Sequence, residues 1–187
     1  YGVYSVYGYD DVNSLKRRRT QNGSEWYYGR VIEKNDFRPI SGHKKTKEHH
    51  LINYGNTDYF EISNQITSNP QKVVEWVTFC KEIGAKYVIL TAKHHDGFCL
   101  WNTKTTDRKS ELDIVDIFVK ECQKQNMEYG LYYSWFEFDK SFTVDYYNNY
   151  CEPQLNELLA YNPSIIWFDG QWKITQLSIV KKIKVLF

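Results

Sequence analysis

One unit recurs three times in this chain, and it constrains the fold more than any other feature: an amphipathic helical segment followed closely by a short, β-branched, nearly continuous apolar run. Asn69-Pro70 opens the first, an N-cap residue followed by Pro at the first helical position. Apolar Val73, Val74, Trp76, Val77, Cys80 and Ile83 follow at helical spacing, and Gly84 closes the segment. Lys86–Ala92 (KYVILTA) then reads as a parallel strand buried on both faces. Asp113–Gln125 and Met127–Tyr133 repeat the pattern, as do Pro153–Ala160 and Ser164–Phe168. The strands begin about 40 residues apart. Helices alternating with strands at that interval predict right-handed βαβ units in an α/β fold, either doubly wound or a (β/α)8 barrel. No Gly-rich phosphate loop follows any of the three strands, so a nucleotide cofactor is disfavoured.

Residues 1–68 differ in character, with scattered Gly, Asn and Asp and the basic tracts Lys16–Arg19 and His43–Lys47. They read as a loop-rich amino-terminal part, loops around short strands, ahead of the βα units of 69–172. With 24 Lys plus Arg against 23 Asp plus Glu, the net charge of +1 argues against a nucleic-acid partner. No apolar run approaches the roughly 18 to 20 residues that span a bilayer, which argues against a membrane. Cys80, Cys99, Cys122 and Cys151 are widely spaced with no CxxC, so neither a zinc knuckle nor a thioredoxin-type motif is expected.

In parallel α/β folds the chemistry gathers at the carboxyl ends of strands. The residues there are Lys93-His94-His95-Asp96-Gly97-Phe98, Ser134-Trp135-Phe136-Glu137 and Asp169-Gly170-Gln171-Trp172. Each alone is an ordinary polar turn. Together they place a carboxylate, Asp169, at the mouth of a sheet, two imidazoles suited to vicinal hydroxyls, and Trp101, Trp135, Trp167 and Trp172 within a few residues of strand ends. That composition suits a neutral polyol. A metal is not expected, because adjacent histidines in an extended segment point to opposite sides.

Residues Gly84–Trp101 (GAKYVILTAKHHDGFCLW), with Thr106-Asp107 shortly after, resemble the most recognisable segment of the family 29 glycoside hydrolases, the retaining α-L-fucosidases. Gly130–Ser134 (GLYYS) and Ile166–Gly170 (IWFDG) resemble two further motifs in the right order, and residues 2–6 and 23–27 resemble amino-terminal ones. The resemblance runs from residue 1 to about 172. It implies that Asp169 is the catalytic nucleophile of a double displacement, that His94 and His95 hold fucose hydroxyls, and that Tyr132, Glu25 and Trp26 line the same pocket. It implies no cofactor and no metal, a fucosylated glycan, glycoprotein or glycolipid as substrate, and lysosomal or secreted residence, with which the Asn22-Gly23-Ser24 acceptor triplet is compatible. A homo-oligomer is left open.

Several features depart from that pattern. Tyr1 stands where the family has Trp, after a sugar-binding His that this sequence lacks, and residues 7–20 replace a shorter connection. Residues 173–187 form a divergent tail. A (β/α)8 barrel needs about 250 residues, so the expectation is a partial barrel, truncated after about half its strands, that lacks the usual acid/base residue. Glu137 and Asp139 follow a strand, but no spacing brings either to Asp169. The acid/base is therefore unknown. The alternative reading is a truncated, non-catalytic fucose-binding remnant or gene fragment.

Overall fold

The computed structural model describes residues 3–9, 23–32, 43–66 and 69–171. Tyr1, residues 10–20 of the 7–20 insertion, Asn22, Trp172 and the tail lie outside the described residues. Single turns at Val3–Val6 and Ser24–Trp26 precede helices α1 (Tyr27–Ile32), α2 (His43–Tyr54) and α3 (Tyr59–Ile66). The βα part follows: α4 (Pro70–Glu82), β1 (Tyr87–Lys93), α5 (Ile114–Lys124), β2 (Glu128–Ser134), α6 (Val144–Tyr146), α7 (Glu152–Leu159) and β3 (Ile165–Asp169). A wider, π-type turn at Tyr147–Cys151 joins α6 to α7.

The helix–strand alternation stands within one or two residues of its sequence boundaries, because each boundary carries its own local chemistry. Asn69 caps α4 by accepting the Gln71 N–H, and Gly84, at φ 80°, closes it with Ala85 N–H returning to the Cys80 carbonyl. Asp113 caps α5 through the Asp116 N–H. The three strands form a parallel sheet in the order β1-β2-β3, each neighbour reached through intervening helix. This is an α/β fold, a sector of a (β/α)8 barrel.

Register and alternation sort the strand residues onto two faces. One carries Leu90, Ala92, Leu131 and Tyr133, all buried, beneath the apolar stripes of α4 (Val73, Val77), α5 (Val115, Phe118, Cys122) and α7 (Leu155, Leu158). Each fully buried aliphatic side chain there contributes about 1.5–3 kcal/mol. The opposite face carries Tyr87, Thr91, Tyr132, Ile165, Trp167 and Asp169. Here the expectation of strands buried on both faces is corrected: Tyr87 is 56% and Trp167 58% exposed. In a barrel this is the inward face, which further strands would cover.

The amino-terminal part also needs correction, since its described residues hold helices rather than loops around short strands. The basic tract at His43–Lys47 starts α2, whose buried positions are Thr46 and His50, with Tyr54 half-buried one turn on. A stripe of Thr, His and Tyr has helical spacing without aliphatic residues, so hydrophobic periodicity does not reveal it. It packs into an aromatic cluster centred on Tyr7, stacked between Tyr27 at 4.3 Å and Tyr59 at 4.7 Å. The Tyr7 hydroxyl donates to the Tyr59 carbonyl at 2.6 Å. Much of the chain's 17% aromatic content is therefore core.

Beneath the carboxyl ends of the strands lies a fully buried ion pair. Lys93 Nζ is 3.0 Å from Glu137 Oε1 and also donates to Gln154 Oε1 at 3.1 Å and to the Tyr133 hydroxyl at 3.1 Å. Glu137 accepts from the Tyr146 hydroxyl at 2.8 Å and faces Lys140 Nζ at 2.9 Å. Removing one partner of such a pair leaves a bare buried charge, so Lys93→Ala should cost about 3–5 kcal/mol, read as a lower midpoint in denaturant at unchanged slope.

Candidate active site

A bulge at the end of β1 assembles the site. Register slips between Thr91 and Lys93, so Lys93 pairs with Tyr133 and turns toward the helices instead of following Thr91 inward. His94 and His95 then enter the inward face together, their ring centroids 4.1 Å apart. The expectation that adjacent histidines diverge is corrected on this point. Asp169 ends β3 on the same face, its side chain 29% exposed, and Tyr132 of β2 reaches it from the neighbouring strand.

The hydrogen bonds are specific. The Tyr132 hydroxyl donates to Asp169 Oδ2 at 2.5 Å, and the Gly170 N–H donates to Oδ1 at 2.6 Å. His95 Nε2 lies 3.8 Å from Oδ2. Tyr132 stacks on His94 at 5.7 Å, and Tyr4 meets the same His94 ring edge-on at 4.8 Å. Burial holds His94 well below the usual imidazole range and pushes His95 down to about 4 against the pull of the Asp169 carboxylate. Both rings are therefore neutral at neutral pH and able to accept as well as donate. His94, His95 and Asp169 each offer one ligand atom, all within 4.8 Å of one another. The set could grip a divalent cation as well as the hydroxyls of a polyol, which widens what the sequence suggests.

The other sequence candidates divide. Trp26 joins the wall, 5.9 Å from the His95 ring and 5.2 Å from Phe138. Glu25 is half-buried in the same turn, and the Tyr4 phenol is raised by its burial first and by the Glu25 charge as a lesser contribution. Trp101 and Trp135 are core residues rather than a sugar platform: Trp101 Nε1 donates to Glu157 at 2.8 Å, and Trp135 stacks on Phe168 at 4.9 Å. Trp167 stands on the inward face against Tyr132. Glu137 is locked to Lys93, and Asp139 takes a bidentate grip from Arg108 at 3.0 and 2.5 Å. Tyr4 and Ser134 also stand at the site, although neither was given a role in it from the sequence. Ser134 was legible as a strand-end residue closing the GLYYS run, and Tyr4 only as a member of the motif-like run at residues 2–6.

Asp96 connects the site to the amino-terminal helices. It is buried, accepts the Phe98 N–H at 2.9 Å and receives the Tyr59 hydroxyl at 2.8 Å. Gly97, at φ 76°, completes this turn with no room for a Cβ, which would sit 2.5 Å from a Glu137 oxygen.

Comparison with known proteins matches this architecture throughout. The family model described as Alpha-L-fucosidase matches residues 1–185. An alpha-L-fucosidase of Dictyostelium discoideum is 29% identical over 194 residues, covering 92% of this chain and 39% of its own length. The tissue alpha-L-fucosidase of Rattus norvegicus is 34% identical over 132 residues, covering 62% and 29%. The crystal structure of Thermotoga maritima alpha-fucosidase superposes with a TM-score of 0.74 at 29% identity, covering 97% of this chain and 46% of that one. The same enzyme in complex with fucose gives 0.68 at 32% identity, covering 90% and 43%. This chain spans less than half the length of these relatives.

Burial raises Asp96 from 3.8 to about 6, against the hydrogen bonds it accepts. An acid whose folded value is raised loses protons more readily when unfolded, so its ionisation destabilises the fold as pH rises from about 4 to 6. The difference between the native chain and Asp96→Asn, followed by chemical denaturation across that window, should change by on the order of 2–3 kcal/mol, with the native chain falling relative to the variant.

Proposed function

Because the chain belongs to the alpha-L-fucosidase family, we propose that it supplies the nucleophile half of a retaining α-L-fucoside hydrolase, acting on terminal fucose of glycans, glycoproteins or glycolipids. Asp169 is the nucleophile. Its carboxylate attacks the anomeric carbon, the bond to the leaving oxygen breaks, and a covalent fucosyl-enzyme forms that water then hydrolyses. The observation that carries this reading is the Asp169 carboxylate at the mouth of β3, oriented by the Tyr132 hydroxyl and the Gly170 N–H and flanked by two neutral histidines.

The neighbours have distinct tasks. Gly170 N–H and Tyr132 hold one oxygen each, so the carboxylate cannot rotate away from its line of attack. His94 and His95, uncharged, bind sugar hydroxyls without neutralising Asp169. Trp26 offers an aromatic edge to the sugar, and Glu25 is the polar group nearest to it in sequence. Retention requires a second carboxyl group about 5–5.5 Å from the nucleophile, first as acid and then as base. Glu137 and Asp139 are held by Lys93 and Arg108 and are assigned no such role. Lysosomal or secreted residence follows from the same family reading.

The second reading, a fucose-binding chain without turnover, is favoured by the same two ion pairs, which occupy the two carboxylates that follow β2. A fluorogenic aryl α-L-fucoside separates the two. Turnover by the native chain that drops about 10⁴-fold or more in Asp169→Asn supports catalysis through this carboxylate. Saturable L-fucose binding with no turnover supports the second reading. A native chain that neither turns over the glycoside nor binds L-fucose refutes both.

A further inference from the structure

Ser134 ends β2 opposite Asp169 and is fully buried, and its hydroxyl has a single proton and two lone pairs to distribute. Ser134 Oγ lies 2.7 Å from the Phe136 carbonyl oxygen, which can only accept, so the hydroxyl proton goes there. The Phe136 N–H donates back to Oγ at 3.1 Å and takes one lone pair. His95 Nδ1 lies 2.6 Å from Oγ, where only the other lone pair remains. His95 must therefore carry its proton on Nδ1.

The consequence falls on the other nitrogen. His95 Nε2 is left with a lone pair, and it faces Asp169 Oδ2 at 3.8 Å, so two acceptors confront each other. Oδ2 already receives the Tyr132 hydroxyl and Oδ1 the Gly170 N–H, which leaves one lone pair on each oxygen. An Nε2–H tautomer would donate to that carboxylate and occupy a lone pair needed for attack on carbon. We propose that Ser134 is a positioning residue that locks His95 as the Nδ1–H tautomer, keeping its Nε2 from donating to Asp169 and reserving it as the acceptor for a substrate hydroxyl. The part of this assignment that concerns substrate rests on the fucoside reading above; the tautomer does not.

The fold contains its own reference. His50 Nε2 lies 3.0 Å from the Thr57 carbonyl and its Nδ1 lies 3.0 Å from the Tyr27 hydroxyl, so His50 carries its proton on Nε2. Long-range proton–nitrogen correlation spectra of the full chain with ¹⁵N-labelled histidine, at neutral pH, distinguish the two forms directly. His95 is expected as Nδ1–H and His50 as Nε2–H. In Ser134→Ala the His95 tautomer ratio should move toward Nε2–H by about fivefold or more, the effect of losing one hydrogen bond, with His50 unchanged.

An Nε2–H pattern for His95 in the native chain overturns the proposal without need of any variant. An unchanged His95 pattern in a folded Ser134→Ala chain also overturns it, by passing the role to the Phe136 carbonyl. Added L-fucose should move the His95 Nε2 resonance while the Nδ1–H form persists. If fucose moves nothing while the tautomer and its dependence on Ser134 hold, the sugar reading fails and the tautomer assignment stands.

Discussion

The Lys93–Glu137 pair is the constraint on which the rest of this structure depends. Two buried charges are tolerable only when the surrounding groups offset their lost hydration. Tyr133, Tyr146 and Gln154 hydrogen-bond to the pair and the Lys140 charge faces Glu137, and these residues come from β2, the loop after it, α6 and α7. The pair thus draws the carboxyl ends of the first two strands and the helix that leads to the third onto one buried point. Burial would raise the Glu137 carboxyl, but Lys93 and Lys140 outweigh it and hold the group down to about 2, so it stays ionised.

Turning Lys93 toward that point needs the β1 bulge, and the bulge is what delivers two consecutive histidines to the inward face. In a regular strand, alternation would send one of them among the helices. The charged network under the sheet and the neutral polar site above it are therefore two results of one slip in register. Glu137 and Asp96 also share the Gly97 turn, so the site floor is tied to the ion pair on one side and, through Tyr59, to the aromatic helices on the other.

Legibility in the sequence followed the range of the interactions. Asn69, Gly84 and Asp113 act on groups within a few residues, so the helix ends could be read directly. The IWFD run showed that Asp169 would stand at a strand end. Trp101 and Trp135 misled because proximity to a strand end in sequence does not say which side of the sheet a ring takes, and both turn into the core. The α2 helix escaped because its buried stripe is polar and aromatic. Tyr4 could be read only as part of the run at residues 2–6, and its contact with His94 was invisible because the two are ninety residues apart and no local pattern links them.

What the sequence by itself determined is the alternation of helices and strands, the parallel sheet that follows from it, the family, and the residue types at the strand ends. Those are set by caps, periodicity and short motifs, each written in a few adjacent residues. Only the tertiary structure decided that both histidines face Asp169, that Glu137 is withdrawn into an ion pair, and that Ser134 leaves His95 a lone pair toward the carboxylate. Each of these rests on partners about 40 to 75 residues apart brought together by strand register, and register is a property of the assembled sheet, not of any one strand.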